Sequence, residues 1–251
     1  MVKSAIILAA GYGSRLRARS ASKPLTRVAG IPLIEIGVHQ AAAAGVGKVV
    51  VVTGHEAERL EQALAPLGDR YGLEIVPARL DDWSKPNGWS VIEGARRVTG
   101  PYLLMMADHV FADGLLDRLA RQSLSECDVV LATDRIDNPL VDPDDATWVA
   151  TDAAGRIDRI GKMIERYDAV DCGAFLANEA LPRAIEAAIR AGKAGSLSDG
   201  MQVLGDSGRA RTMDIDGGWW IDVDDPRALD LAEEQAQEHI AMLRKVRADA
   251  L

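Results

Sequence analysis

Short apolar runs alternate along the first half of the chain with longer stretches in which apolar residues recur every three or four positions. Ala5–Ala9, Val49–Thr53, Leu73–Pro77, Tyr102–Met106 and Val129–Thr133 have strand length and are apolar throughout, the mark of strands covered on both faces of a parallel sheet. Residues 33–45, 56–66, 89–98 and 113–123, which lie between them, have helical length. Such alternation predicts right-handed crossovers and an α/β fold, a doubly wound, mostly parallel, Rossmann-like sheet. Asp113 directly precedes one helical pattern and is the expected N-cap there.

The second half reads differently. Trp148–Thr151 and Arg156–Ile160 flank Asp152-Ala153-Ala154-Gly155 as a hairpin would. A strand at about 170–177, an alanine-rich helix at 179–191 and a strand at 211–215 follow, which predicts a mixed-sheet extension packed on the first half. Residues 226–251 read as helical, with Pro226 in the first turn and Asp225 as the N-cap. No repeat, low-complexity tract or linker appears, so 1–251 is read as a single domain.

Composition narrows the class. The 251 residues are 48% apolar and only 4% aromatic, so the core is built from Ala, Val, Ile and Leu. A net charge of −9 argues against a nucleic-acid surface, which needs a basic face. It leaves room for a small anion held by a few cations gathered in one cleft. Two cysteines, Cys127 and Cys172, make neither a disulfide framework nor a zinc spacing, and a reducing cytoplasm is the expected location. No apolar run approaches the ~20 residues that span a bilayer. Met1-Val2-Lys3-Ser4 leads into the first strand and a glycine loop rather than into a leader's cleavage site.

That loop is the main chemical signal: Leu8-Ala9-Ala10-Gly11-Tyr12-Gly13-Ser14-Arg15-Leu16. Gly11 and Gly13 allow a sharp turn and close approach of backbone N–H groups to a ligand, while Ala9 and Ala10 leave room for a flat base or a ribose. Leu16 stands where a dinucleotide fingerprint has its third glycine, and the Walker lysine-serine pair is missing. On these residues alone, the segment is either a nucleotide loop or a turn with solvated basic side chains.

Other positions carry candidate chemistry. Lys23-Pro24-Leu25 follows the loop. Asp108 ends an apolar strand at the carboxyl edge, where open α/β sheets bind ligands. Asp222 and Asp224 fall on one face if their strand continues. In Lys85-Pro86-Asn87-Gly88-Trp89-Ser90, Gly88 lets backbone approach a flat base while Asn87 and Ser90 offer polar groups, or the segment is simply a turn. Lys162 and Asp171, the latter two residues before Gly173, suit a phosphate and a hydroxyl respectively, or surface ion pairs. His109 is read as structural or as a hydroxyl contact.

The loop and the Lys-Pro-Leu that follows resemble the signature of the sugar-phosphate nucleotidyltransferases, L-A-A-G-x-G-x-R-L then K-P-L. The resemblance implies a GT-A-like nucleotidyltransferase fold in which Leu8, Ala9, Ala10, Gly11 and Gly13 wrap the triphosphate. It also implies that Arg15 holds the leaving pyrophosphate, that Lys23 neutralises the α-phosphate, and that Asp108 with Asp222 or Asp224 binds Mg²⁺. The further motifs N-G-W-S, A-D-H-V, I-G-K, D-A-V-D-C-G and W-W-I-D-V-D look most like the cytidylyltransferase domains that make CDP-inositol from inositol 1-phosphate, over roughly residues 4–235.

This implies a nucleotide-binding half at about 1–135, with Asn87, Gly88 and Ser90 at the base, and an acceptor-binding half at about 136–225, with Lys162, Asp171 and Gly173 at the acceptor. The expected partners are CTP and a small phosphorylated polyol, with no nucleic acid and no membrane segment in this chain; a homo-oligomer stays open. Some members of the family carry a fused membrane synthase. Two other readings remain: the same fold acting on phosphocholine or a hexose 1-phosphate, and a nucleotide-binding regulator without turnover. Intact Arg15, Lys23, Asp108 and Asp222 weigh against the regulator.

Overall fold

Ser4–Ala9 forms strand β1, and its side chains feed two cores in turn. Ala5, Ile7 and Ala9 join one cluster and Ile6 and Leu8 another, so both faces of the sheet are covered. The computed structural model describes residues 2–17 and 19–248. After β1 come β2 (Arg27–Val28), β3 (Ile31–Pro32), α1 (Leu33–Ala43), β4 (Lys48–Thr53), α2 (Ala57–Leu64), α3 (Leu67–Tyr71) and β5 (Glu74–Arg79). Then follow α4 (Asn87–Ala95), β6 (Tyr102–Met106), β7 (His109–Phe111), α5 (Leu115–Ala120) and β8 (Val129–Arg135). The remainder is β9 (Trp148–Thr151), β10 (Ile157–Gly161), β11 (Ala169–Ala177), α6 (Ala180–Arg190), α7 (Leu197–Asp206), β12 (Ala210–Asp214), β13 (Trp220–Asp222), α8 (Pro226–His239) and α9 (Ala241–Ala248).

The main sheet runs β12-β8-β11-β6-β1-β4-β5, with the β9–β10 hairpin added at the start of β11. Strands β6, β1, β4 and β5 are mutually parallel, while β11 lies antiparallel between β6 and β8. The doubly wound, mostly parallel sheet with a mixed extension is therefore the observed fold. One cluster takes α1 and α2 against the sheet, through Ile34, Val38 and Leu60; the other takes α4, α6 and α7, through Val91, Ile185 and Met201. No described helix is long and apolar enough to cross a membrane.

Three expectations are corrected. β5 is an edge strand with one buried residue, Ala78, rather than a strand covered on both faces; the edge tolerates Pro77, which has no N–H to donate. Asp113 does not cap α5, whose N-cap is Gly114. Its carboxylate instead accepts from Ala241 N at 2.8 Å, at the start of α9. The helical tail is accordingly two helices, broken where Ile240 turns extended (φ −127°) and buries its side chain in a third cluster. Residues 249–251 of the expected tail lie outside the described residues. Asp225 does cap α8, accepting from Ala228 N at 2.7 Å, with Pro226 at its first position.

Helix α7 and strand β7, the partner of β13, went unread in the sequence. The signal for α7 was there: Ser196 and Asp199 form a capping box, Ser196 Oγ accepting from Asp199 N at 3.1 Å and Asp199 Oδ2 accepting from Ser196 N at 2.8 Å.

Candidate active site

A cleft of about 520 Å³ opens at the carboxyl ends of β1 and β6, where a parallel sheet leaves space between its loops. Leu8, Ala9, Ala10, Gly11 and Gly13 line it at the end of β1. Past them, Ser14–Leu16 and Lys23–Leu25 are single 3₁₀ turns. Leu16 is fully buried in the third cluster with Val28, Val223 and Leu229, which holds Arg15 at the cleft's edge. Gly13 sits at φ 61°, and a Cβ there would stand 2.5 Å from the Cβ of Lys23. The glycine therefore lets the loop and the lysine stem cross, and so places the ammonium. The Lys23 side chain is 11% exposed, and its Nζ pairs with both Asp108 and Asp224. An ammonium so nearly buried needs those two carboxylates to offset its desolvation. Arg15 pairs with Asp224 and Asp145.

The carboxylates come together through the β7–β13 ladder. Its antiparallel register sets Asp222 opposite His109, and Val223 N donates to Asp108 O at 2.9 Å. His109 Nδ1 lies 3.0 Å from Asp108 Oδ1 and 3.7 Å from Asp222 Oδ1. Donor atoms of Asp108, His109 and Asp222 all fall within 4.8 Å of one another, as do those of Asp145, Asp222 and Asp224. Asp222 Oδ1 is buried and has no hydrogen-bond partner among the described residues. An orphaned carboxylate oxygen amid other carboxylates fits a hard divalent cation such as Mg²⁺. Sequence reasoning missed Asp145: it sits in an irregular loop after β8, where no periodicity marks a carboxylate as facing a cleft.

The electrostatics follow from the crowding. Burial acts to raise Asp108, but Lys23 and His109 outweigh it and hold the carboxyl well below the usual carboxylate range. Burial acts to lower His109, yet Asp222 and Asp108 push it up to about 9. Asp222 is raised, by burial first and by the neighbouring Asp108 charge, against the pull of His109 and Lys23. Asp108 and His109 thus each favour the charged form of the other.

Towards β5 and α4, Asn87 and Ser90 line the cleft, but Gly88 does not. A Cβ at Gly88 would meet Ile185 Cγ2 at 2.9 Å and the Gly195–Ser196 backbone, so this glycine serves close packing of α4 on α6 and the α7 entry rather than approach to a base. Asn87 Oδ1 accepts from Leu197 N at 2.9 Å, tying the same two segments. On the opposite wall stand Lys162, Asp171 and Gly173. Lys162 pairs with Asp145. Asp171 accepts from Gly173 N at 2.7 Å, and burial pushes its carboxyl up to about 6. Trp220 stacks on His109, ring centroids 5.8 Å apart, and donates its indole N–H to buried Asp134 at 2.8 Å. Trp83, Met201 and Arg227 also line the cleft without having been singled out in the sequence.

A model of the MobA-like NTP transferase domain matches residues 5–194. The bifunctional IPC transferase and DIPP synthase of Rubrobacter xylanophilus is 37% identical over 234 residues, covering 92% of this chain and 51% of its own length. The CMP-5'-(3-aminopropyl)phosphonate synthase of Streptomyces rubellomurinus is 33% identical over 238 residues, covering 88% of this chain and 37% of its own. The chain thus spans about half the length, or less, of the curated relatives it matches. The solved inositol-1-phosphate CTP transferase from T. maritima shares the fold, with a TM-score of 0.79 over 98% of this chain and 96% of that one at 24% identity. With the glycine loop, its two cations and the facing carboxylates gathered in one cleft, and the family model matching most of the chain, this protein belongs to the MobA-like NTP transferases, a nucleotidyltransferase family.

Proposed function

We propose that the chain transfers a cytidylyl group from CTP to inositol 1-phosphate, giving CDP-inositol and pyrophosphate, with Mg²⁺ held by Asp108, Asp222 and Asp224. The observation that carries this reading is the convergence of Arg15 and Lys23 on the carboxylate group that contains the orphaned Asp222 oxygen. The substrates are supported by the R. xylanophilus relative, named as an IPC transferase, and by the T. maritima structure, named as acting with CTP and inositol 1-phosphate. Both cysteines are buried free thiols, in keeping with a reducing cytoplasm.

In the proposed step an oxygen of the acceptor's phosphate forms a bond to the α-phosphorus of CTP. The bond from that phosphorus to the bridging oxygen breaks, and pyrophosphate leaves with the electron pair. The acceptor is already an anion, so no side chain has to remove a proton. The protein's task is to hold two anions together and to offset the charge that grows in the transition state. Lys23, nearly buried between two aspartates, brings a compact positive charge to the α-phosphate. Arg15, at the cleft's edge, can grip two oxygens of the departing pyrophosphate with its planar fork. Asp108, Asp222 and Asp224 would bind the cation, and His109 orients Asp108 through its Nδ1 contact. Bound there, Mg²⁺ supplies further positive charge against the phosphate oxygens. Lys162 and Asp171 on the far wall would take the acceptor's phosphate and a ring hydroxyl.

A second acceptor is favoured by one observation: the S. rubellomurinus relative is named for a CMP-phosphonate product. One experiment separates the readings. The purified protein is given each of the four nucleoside triphosphates with inositol 1-phosphate, phosphocholine, a hexose 1-phosphate or an aminoalkyl phosphonate, with and without Mg²⁺, and pyrophosphate is read. Release confined to CTP, Mg²⁺ and inositol 1-phosphate is expected. Release with a different acceptor moves the reading to that acceptor, and metal-independent silence with all of them replaces it with a nucleotide binder.

A further inference from the structure

Outside the charged centre, Trp83, which lines the cleft, belongs to an aromatic cluster that the reaction as described does not use. Tyr12, between the two loop glycines, is 43% exposed, and Trp83, on the β5–α4 loop, is 40% exposed. Single exposed rings are ordinary, but two exposed rings set side by side call for a reason. Their rings stack, centroids 5.9 Å apart and planes within 8°. His55, from the turn after β4, stands edge-on to both, at 4.8 Å from Tyr12 and 5.1 Å from Trp83. The Arg17 guanidinium lies over the Tyr12 ring at 4.3 Å. Beneath the cluster His55 N donates to Ala10 O at 3.0 Å, so the turn that carries the histidine is also bonded to the loop's first residues.

We propose that Trp83 is a positioning residue for the nucleotide: stacked on Tyr12, it clasps the glycine loop to the β5–α4 loop, so that the loop's N–H groups are already arranged when a nucleoside triphosphate enters. The proposal rests on the reading of Leu8–Gly13 as the nucleotide loop. A segment with two glycines is free to bend, and ordering it on binding costs affinity. Tyr12 is the side chain in that segment large enough to be held from outside. Two other loops hold it through His55 and Trp83, at ring separations typical of attractive aromatic pairs, and Arg17 of its own segment covers the ring's face. Trp83 also lines the cleft together with Asn87 and Ser90, so the contact with Tyr12 ties the glycine loop to a segment that borders the same cleft. Fixing a loop in its bound shape is the general route to affinity without new contacts.

The test is a double-mutant cycle on nucleotide affinity. Wild type, Trp83→Leu, Trp83→Phe, Tyr12→Leu and the double variant Tyr12→Leu/Trp83→Leu are titrated by calorimetry, with Mg²⁺ and no acceptor, using whichever of the four nucleoside triphosphates wild type binds most tightly. Each leucine variant is expected to bind about fivefold to tenfold more weakly, the strength of one aromatic pair. The double variant should be no weaker than the worse single, Trp83→Phe should stay within about twofold of wild type, and the acceptor's KM should not move. Unchanged affinity in Tyr12→Leu, or additive losses in the double variant, overturns the clasp, because Trp83 would then touch the nucleotide independently. A preferred nucleotide other than CTP overturns the cytidylyl reading alone and leaves this test intact.

Discussion

His109 lies across Gly173, its imidazole filling the space where a side chain would stand. A Cβ at Gly173 would be 2.5 Å from His109 Cδ2 and 2.7 Å from Nε2, on a backbone at φ 75°. Gly173→Ala therefore adds backbone strain to a clash, and we expect a loss of about 1–3 kcal/mol in stability. Turnover should fall further than stability explains, because moving the ring pulls Nδ1 away from Asp108. Urea unfolding and kcat, the latter measured well below Tm, check both halves. An alanine variant with wild-type stability and turnover would show that the ring has room to spare.

Lys23→Ala should slow turnover far more than it weakens nucleotide binding, since its charge matters most in the transition state. The expected loss is ~10²–10³-fold in kcat, typical for removal of one charge-stabilising donor. Asp108 and Asp224 lose their shared cation in this variant, so a modest drop in stability should accompany it. Retention of more than half the wild-type kcat would remove the lysine from the mechanism.

Asp108→Asn and Asp222→Asn keep shape while removing a charge. Each should lose activity, with partial recovery at high Mg²⁺ or with Mn²⁺, which binds a given site more tightly. The double variant should be little worse than either single, because one ion serves both side chains. Manganese binding followed by electron paramagnetic resonance gives a readout independent of turnover, and wild-type affinity in Asp222→Asn would break the assignment.

The Asp171 carboxyl, raised by burial to about 6, makes stability depend on pH with a definite sign. The folded protein keeps a proton that the unfolded chain releases near its ordinary value of about 3.9. Stability contributed by this group is therefore full below about pH 4, falls as pH rises towards about 6, and stays lower above that. Asp171→Asn keeps an acceptor for Gly173 N and does not titrate. Its stability relative to wild type should climb across that window by at most about 3 kcal/mol, then level off. Unfolding curves at pH 4.5, 6 and 7.5 test this; parallel curves for the two proteins would exclude burial of the charge.

The legible part of the fold is the part whose burial is two-sided. β1, β4 and β6 are apolar without interruption because both faces are covered, and they stand where the pattern put them. β5 is half exposed at an edge, and its boundary slipped accordingly. β7 follows β6 after a gap of two residues and has three residues, too few for any period to appear, yet it is what sets Asp222 beside His109. The motif residues Arg15, Lys23, Asp108, Asp222 and Asp224 were recognisable as letters in a pattern. Asp145 and Trp83 were not, because each reaches the cleft from an irregular loop whose course is decided by tertiary contacts.

Lys23 and Asp224 are separated by 201 positions and yet share one ion pair. While the protein is being synthesised, the first twenty-odd residues leave the ribosome long before the segment that completes their charge balance. Until β13 has emerged and paired with β7, Lys23 and Arg15 have no Asp222–Asp224 wall to face, and closing so long a loop comes late in folding. A chain in which β13 is not yet paired with β7 therefore presents Lys23 and Arg15 without the Asp224 carboxylate that balances them.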